Sequence, residues 1–323
     1  MTMCRKPAWK RDGFTLLELM MVITIIGFLA AMAAAVVTNL VTTAREEATA
    51  ATILKIHEML NQRIVAFEKT LKGSYLEKLV EQELERLEQV PSPGIYGVRP
   101  KVAEILVRKR LFKTNFPQRY SETDRIAAEP ASDPVTESAE LLYFILAEAE
   151  VFGVSPVDSE AFTTSEVTDT DNDGRLEFVD AWGKPLRFYR WPTRLINPDA
   201  DIATSPARLV ADLLIKGLPA EPAAGQGDAL NRDSDDLLSL LQSETDRIAN
   251  FADEFNEDNY HTIDTYHVPL IVSAGPDGQP GLYEPYESAD PNKRGTLAMP
   301  ISTTDLDALT DNITNRNRRA GGN

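Results

Sequence analysis

Cysteine occurs once in the 323 residues, at Cys4. Loss of the first few residues would leave a chain with no disulfide framework and no thiol nucleophile. Basic residues are few: 33 Lys+Arg stand against 50 Asp+Glu, a formal net charge of −17. Nucleic-acid binding wants clustered Lys and Arg, and docking on anionic lipid wants a basic face. The balance argues against both. Proline is missing between Pro7 and Pro91, so nothing in that stretch forbids a long helix. Charge is missing from residues 14–40 with one exception, Glu18. Thr15, Thr24, Thr38 and Asn39 are the only clearly polar groups there. A nucleophile elbow, a phosphate loop and a dinucleotide fingerprint are all missing. The carboxylates form no recognisable acid–base pair, so the expectation is a chain that is not an enzyme.

What is present begins with the N-terminus. Arg5, Lys6, Lys10 and Arg11 stand against Asp12, and Gly13 closes this basic leader. The apolar run 14–40 is long enough to span a bilayer, for which about 20 residues suffice. The positive leader should remain in the cytoplasm and the C-terminal bulk should be translocated. A carboxylate inside such a segment costs about 2.5–3.5 kcal/mol on insertion scales, so Glu18 asks for a function. An ordinary secretory signal cut after Ala33-Ala34-Ala35 is one alternative, and a plain signal anchor is another. Neither has a use for a carboxylate at the fifth place after a glycine.

Gly13, Phe14 and Glu18 resemble the prepilin signal shared by type IV pilins and type II secretion pseudopilins. The resemblance implies cleavage between Gly13 and Phe14 by prepilin peptidase, which also methylates the new N-terminus. Glu18 is then the partner of the Phe14 amine on the adjoining subunit of a filament, with no partner in the monomer. Cleavage removes four bases and one acid and leaves 29 against 49, a net charge of −20. Many members of the family carry a proline near the middle of the helix, where this chain has Ala35. Tip subunits of such filaments often lack the glutamate, so Glu18 favours a place in the shaft.

Beyond the membrane, Ile53, Ile56, Leu60, Ile64, Phe67 and Leu71 recur at three and four residues, the spacing of one apolar stripe on a helix. Gly73 is the expected break. Leu76, Val80, Leu84 and Leu87 carry a second stripe, stopped by Pro91-Ser-Pro-Gly94. Residues 99–119 are the one basic stretch: Arg99, Lys101, Arg108, Lys109, Arg110, Lys113 and Arg119. It reads as a solvated helix face, or more sharply as a contact for an acidic neighbouring subunit. Asp133-Pro134 reads as the N-cap and first position of a helix bearing Leu141, Leu142, Phe144, Ile145 and Leu146. Short strands are expected at 176–179, 186–191 and 268–272. An insert at 192–259 is part Pro/Gly/Ala-rich (218–227) and part helical (236–255). From Thr310 the tail is polar and expected to fray.

Asp169-Thr-Asp171-Asn-Asp173-Gly174-Arg175-Leu176-Glu177-Phe-Val-Asp180 has the spacing of an EF-hand-like loop. Oxygen ligands fall at places one, three and five, glycine at six, the Arg175 carbonyl at seven, Glu177 at nine and Asp180 at twelve. Leu176 supplies the hydrophobic eighth place. Hard oxygen ligands at this density suit Ca²⁺. Asp is short for the twelfth place and a strand should follow, so a hydrated acidic turn is the alternative. His261, Asp264 and His267 lie three apart beside strand-forming Tyr266 and Val268. That spacing does not put them on one face, and they read as surface or core residues rather than ligands.

Asp180-Ala-Trp182-Gly183-Lys-Pro185 resembles a stretch of the major pseudopilin, where it implies a tight turn between strands and makes Trp182 a core anchor. Val272-Ser-Ala-Gly275-Pro-Asp277-Gly278 resembles that family's C-terminal strand and loop, which often holds Ca²⁺. Asp277 matches it, with Glu284, Glu287 and Asp290 as candidate partners. The resulting expectation is an α+β chain. A long N-terminal helix, half transmembrane and half amphipathic, packs on a small antiparallel sheet with helical insertions. Residues 1–13 are the leader, 14–40 the membrane helix, 41–90 its soluble half, 91–309 an enlarged periplasmic domain and 310–323 the tail. The expected role is a pseudopilin of a type II secretion-like filament in the inner membrane, its partners being prepilin peptidase and other copies or kin of itself. The alternatives are a type IV pilin of an extracellular fibre, and a membrane-anchored Ca²⁺-binding or enzymatic protein with a borrowed signal.

Overall fold

The structure, a computed structural model, describes residues 15–90, 94–126, 133–193, 232–302 and 307–316; the side chains of 33–35, 38, 39, 159 and 307 lie outside that description. The chain divides into two compact units, Met1–Arg45 and Glu46–Asn323. Its class is α+β, as expected. The helices are α1 (Leu16–Thr70), α2 (Gly73–Glu88), α3 (Pro100–Asn115), α4 (Glu137–Tyr143), α5 (Leu240–Arg247) and α6 (Phe251–Glu254). The strands are β1 (Val167–Thr168), β2 (Glu177–Phe178), β3 (Arg187–Tyr189), β4 (Leu270–Ser273) and β5 (Ile313–Thr314).

The 55 residues of α1 run without proline. In the second unit its stripe is buried as the spacing predicts: Ile53, Ile56, Leu60, Phe67 and Leu71 are each 3 % exposed or less. The helix stops at Thr70, and α2 begins at Gly73, whose φ of +60° is open to glycine at no steric cost. Residues 91–93 of the expected stop signal lie outside the described residues.

The α1 stripe packs on one face of a three-stranded antiparallel sheet ordered β3-β4-β5, with Phe188 opposite Ile271 and Val272 opposite Thr314. Side chains alternate across a strand. Phe188 and Ile271 therefore join the α1 core, while Tyr189, Leu270 and Val272 face a second core with Leu282, Leu297, Ala298 and Leu309. β5 corrects the sequence reading at the start of the tail: Ile313–Thr314 pairs with β4, while residues 317–323 lie outside the described residues. The Asn315 side chain accepts from Ile271 N at 3.0 Å and meets His57 Nδ1 on α1 at 3.0 Å.

A third core gathers α2, α3 and the described end of the insert: Leu87, Val102, Ile105 and Leu106 meet Leu241, Phe251 and Phe255. The rest of the insert, including 218–227, lies outside the described residues. The basic stretch is only in part a solvated face: Lys101 is exposed, but most of its other cations are partly or fully covered. Lys109 on α3 is 2 % exposed and pairs with Asp233 at 2.8 Å and Asp235 at 2.6 Å. Arg99 pairs with Glu244, Arg108 with Glu68 and Arg110 with fully buried Glu83. In a chain so rich in acid, these cations are held by internal carboxylates.

α4 starts three residues later than expected. Asp133 and Pro134 form a turn, with Thr136 N on the Asp133 carbonyl at 3.1 Å. A π-helical turn, Phe144–Glu148, ends α4 and leaves two carbonyls facing inward. Arg63 of α1 answers them. Its fully buried guanidinium donates to Ile145 O at 3.0 Å, Leu146 O at 2.6 Å, Ser155 O at 3.3 Å and Met59 O at 3.1 Å.

Two predictions follow from these buried groups. Arg63→Met keeps much of the volume but takes the side-chain donor from Ile145 O and Ser155 O, at a loss of about 3 kcal/mol. Denaturant unfolding of the full chain in detergent measures it; a loss under 1 kcal/mol would mean the carbonyls find other donors. The second concerns His267, which is buried against Lys109 and Asp233. Burial first, with help from the Lys109 ammonium and against the pull of Asp233, lowers its pKa from 6.5 to about 4. Between those values the unfolded chain binds a proton that the folded protein does not. Stability should fall as pH drops through this window, by about 3 kcal/mol in total, and His267→Gln should make the acid limb shallower. An unchanged limb, read by the same unfolding experiment from pH 7 downward, would assign acid sensitivity to other groups.

Candidate functional site

Gly13 and Phe14 lie outside the described residues. Thr15 and Glu18 do not, and they form a capping box. Thr15 N and Thr15 Oγ1 both donate to Glu18 Oε2 at 2.9 Å, and Glu18 N donates to Thr15 Oγ1 at 3.2 Å. Thr15 is thus the N-cap of α1 and Glu18 its third residue, each answering the other's unpaired amide. The expectation that Glu18 lacks any partner in a single chain is corrected: Thr15 is that partner, with Oε2 the oxygen engaged. The motif Thr-x-x-Glu at 15–18 was there to be read as a cap.

From Leu16 to Met32 the side chains are exposed on every side of α1, Leu16 at 77 % and Phe28 at 66 %. Apolar surface all round a helix suits lipid or neighbouring helices, not water on one flank. Thr24 Oγ1 donates to Met20 O at 2.7 Å, which satisfies its hydroxyl within the helix. Among the described residues no helix is long and apolar enough to cross a membrane. The described apolar run 16–32 would extend roughly 25 Å at 1.5 Å per residue.

The second site is the acidic loop. Gly174, with φ +92°, allows its sharp turn. Asp169 faces the loop backbone, accepting from Asp173 N at 3.2 Å and Gly174 N at 3.0 Å. Asp171 Oδ2 accepts from Asp133 N at 3.1 Å and Thr136 Oγ1 at 3.2 Å, and Asp173 Oδ1 accepts from Arg175 N at 2.8 Å. The sequence reading missed the next participant. Glu140 of α4 brings a carboxylate oxygen within 4.8 Å of oxygens of both Asp171 and Asp173. A carboxylate one turn before the partly buried Phe144, and beside the buried Leu141 and Tyr143, was the available signal.

Two of the acids are buried. Glu140 is 3 % exposed and Glu177 is fully buried. Tyr120 Oη donates to Glu140 Oε2, and Thr170 donates through N and Oγ1 to Glu177 Oε1. Glu140 Oε1 and Glu177 Oε2 have no hydrogen-bond donor. Burial pushes both pKa values up, Glu177 to about 7, and the charges of Asp171 and, for Glu140, Asp173 add to the rise. Leu176 is 42 % exposed and does not fill the hydrophobic eighth place.

Asp180 does not join this group. Its Oδ1 accepts from Trp182 N at 2.9 Å and Lys184 N at 3.0 Å, and Ser273 Oγ donates to Oδ2 at 2.7 Å. It holds the tight turn expected between strands and ties it to β4. Trp182 in that turn is half-buried and belongs to none of the cores. Asp277 meets Asp311 rather than the expected partners, with Asp277 N donating to Asp311 Oδ2 at 3.3 Å. Glu284 pairs instead with Arg187, and Glu287 with Lys293. His261 and His267 do come together, their ring centres 4.0 Å apart, because β4 begins only at Leu270 and no strand separates them. Both are core residues, and Asp264 accepts from Ser239 Oγ at 2.7 Å.

Residues 10–34 match the family model of the prokaryotic N-terminal methylation motif. The motif spans Gly13, Phe14, the Thr15–Glu18 box and the exposed apolar turns of α1. It is the prepilin-type signal of type IV pilins and pseudopilins, and it implies processing by a prepilin peptidase, anchoring in a membrane through α1 and assembly with other pilin-like subunits. The chain matches no curated protein and no solved structure.

Proposed function

We propose that this chain is a structural subunit of a type II secretion-like filament, a pseudopilin, and not an enzyme. The observation that carries the reading is the methylation motif on a helix whose apolar side chains stay uncovered in the single chain. Such a helix needs lipid before assembly and neighbouring helices after it. The leader stays in the cytoplasm, the first part of α1, to about residue 40, rests in the inner membrane, and the residues beyond it face the periplasm. The mature chain has no cysteine, whereas a surface fibre usually braces its subunits with a disulfide. That favours a short periplasmic filament over an extracellular pilus.

Processing gives the first check. N-terminal mass spectrometry of the mature protein should begin at a methylated Phe14, and Gly13→Leu should leave the precursor uncut. A start near Val36 would mean ordinary signal peptidase and would end the filament reading.

Assembly gives the second. In a filament the Glu18 carboxylate pairs with the Phe14 amine of the adjoining subunit, which offsets desolvation and sets axial register. Glu18→Gln keeps an acceptor for the Thr15 cap and removes only the charge. Both Glu18→Gln and Glu18→Ala should insert in the membrane and assemble poorly, as read by filament yield on overexpression. Normal assembly of the Gln variant would leave Glu18 as a helix cap and nothing more.

A further inference from the structure

We propose that Glu140, Asp171 and Asp173, with Glu177 beside them, form a divalent-cation site that takes Ca²⁺ and ties α4 to the 169–177 loop. The site is not the loop-only arrangement that the spacing suggested: its buried anchor comes from a helix some thirty residues earlier, and Asp180 is outside it.

Geometry is the first support. One oxygen from each of Glu140, Asp171 and Asp173 lies within 4.8 Å of the others. Ca²⁺ binds oxygen at about 2.3–2.6 Å, so ligands on opposite sides of one ion stand roughly 4.6–5.2 Å apart. The second support comes from unpaired buried oxygens, one of them on Glu177, which lies outside that trio. Glu140 Oε1 and Glu177 Oε2 are buried and have no donor within hydrogen-bond distance among the described residues. Buried carboxylate oxygens are otherwise hydrogen-bonded or bound to a cation. None of the described ion pairs gives Glu140 or Glu177 a cation. The Arg175 guanidinium sits over the ring of Tyr120, whose hydroxyl meets Glu140, 4.4 Å from the ring centre. The third support is preorganisation. Backbone amides of 173–175 and the 133–136 turn hold the aspartates by their other contacts, so the carboxylates are oriented before any ion arrives. All the ligands are hard oxygens, which suit Ca²⁺ and not Zn²⁺ or Cu²⁺, and Mg²⁺ is held back by its reluctance to lose water.

The competing account is a set of protonated acids sharing a dry pocket. The experiment separates the two. The full-length processed protein in detergent micelles is melted in Ca²⁺ and in chelator. At a hundredfold excess over Kd, a ligand specific to the folded state should raise the Tm by roughly 5–10 °C. Glu140→Gln should abolish that shift while melting as high as wild type, or higher, in chelator, because one charge leaves a crowded pocket. A variant that merely misfolded would melt lower in both conditions. Asp277→Ala should keep the shift. Tb³⁺ emission on tyrosine excitation should appear with wild type, through Tyr120 beside Glu140, and vanish with Glu140→Gln. A Tm indifferent to Ca²⁺ and chelator overturns the proposal. So does a shift that survives Glu140→Gln and is lost in Asp277→Ala, which would move the ion to the Asp277–Asp311 loop. The proposal does not rest on the filament reading: N-terminal processing and the calcium shift can fail separately.

Discussion

A guanidinium buried without a carboxylate organises the second unit. Arg63 appears in none of the described ion pairs, yet its side chain is fully buried. It persists because four carbonyl oxygens surround it, two from the π-helical end of α4, one from Ser155 and one from its own helix. Leu146 O also accepts from Val157 N and Met59 O lies within α1, so Ile145 O and Ser155 O depend most on the guanidinium, and a buried unpaired group costs about 1–3 kcal/mol. The arrangement fixes the position of α4 along α1. From that placement the rest follows. α4 packs between α1 and β3, Ser138 on it donates toward no strand but accepts from Phe188 N at 3.1 Å, and Glu140 is carried to the acidic loop.

The same accounting explains how a chain with net charge −17 folds around so many carboxylates. Glu83, Glu244 and Asp233 are fully buried, and each has an arginine or lysine against it. Pairs of this kind contribute little as net stability, because desolvation offsets attraction. Their value lies in position: α3 can sit only where Glu83, Glu244 and Asp233 meet Arg110, Arg99 and Lys109. A basic stretch in an acidic protein is a natural supply of such pins. That is why a run of basic residues failed as a sign of a solvated face.

Local signals were legible and long-range ones were not. The α1 stripe, the break before Gly73 and the three expected strands depend on residues within one turn or one strand, and they lie close to where the sequence placed them. β5 was missed because Ile313–Thr314 is two residues long and its strength comes from β4 and from the Asn315 side chain, both distant in sequence. At the N-terminus, Glu18 was legible as a membrane anomaly, while its bond to Thr15 was hidden behind the expectation of an intermolecular partner. In the acidic loop the aspartates were legible from spacing. Glu140 was not, since only the fold brings α4 against residue 171. Asp180 was overcounted for the converse reason: spacing gave it a ligand's place, and the turn at 180–184 took its oxygens first.

Glu18 and Glu140 pose one problem in two media. A carboxylate removed from water must be met by donors or by a cation. At Glu18 the helix itself meets part of the demand, since the first amides of α1 have no intrahelical acceptors and Thr15 can offer both an amide and a hydroxyl. That leaves a carboxylate with one oxygen met by Thr15 and the other able to accept an amine from outside. At Glu140 the helix cannot help in the same way, because its fourth residue lies beyond the N-terminal amides that remain unpaired, and Tyr120 supplies one donor only. The neighbours that the fold places there, Asp171 and Asp173, add charge instead of removing it. A site that gathers acid around a buried acid is neutralised either by protons or, in the reading proposed above, by a metal ion.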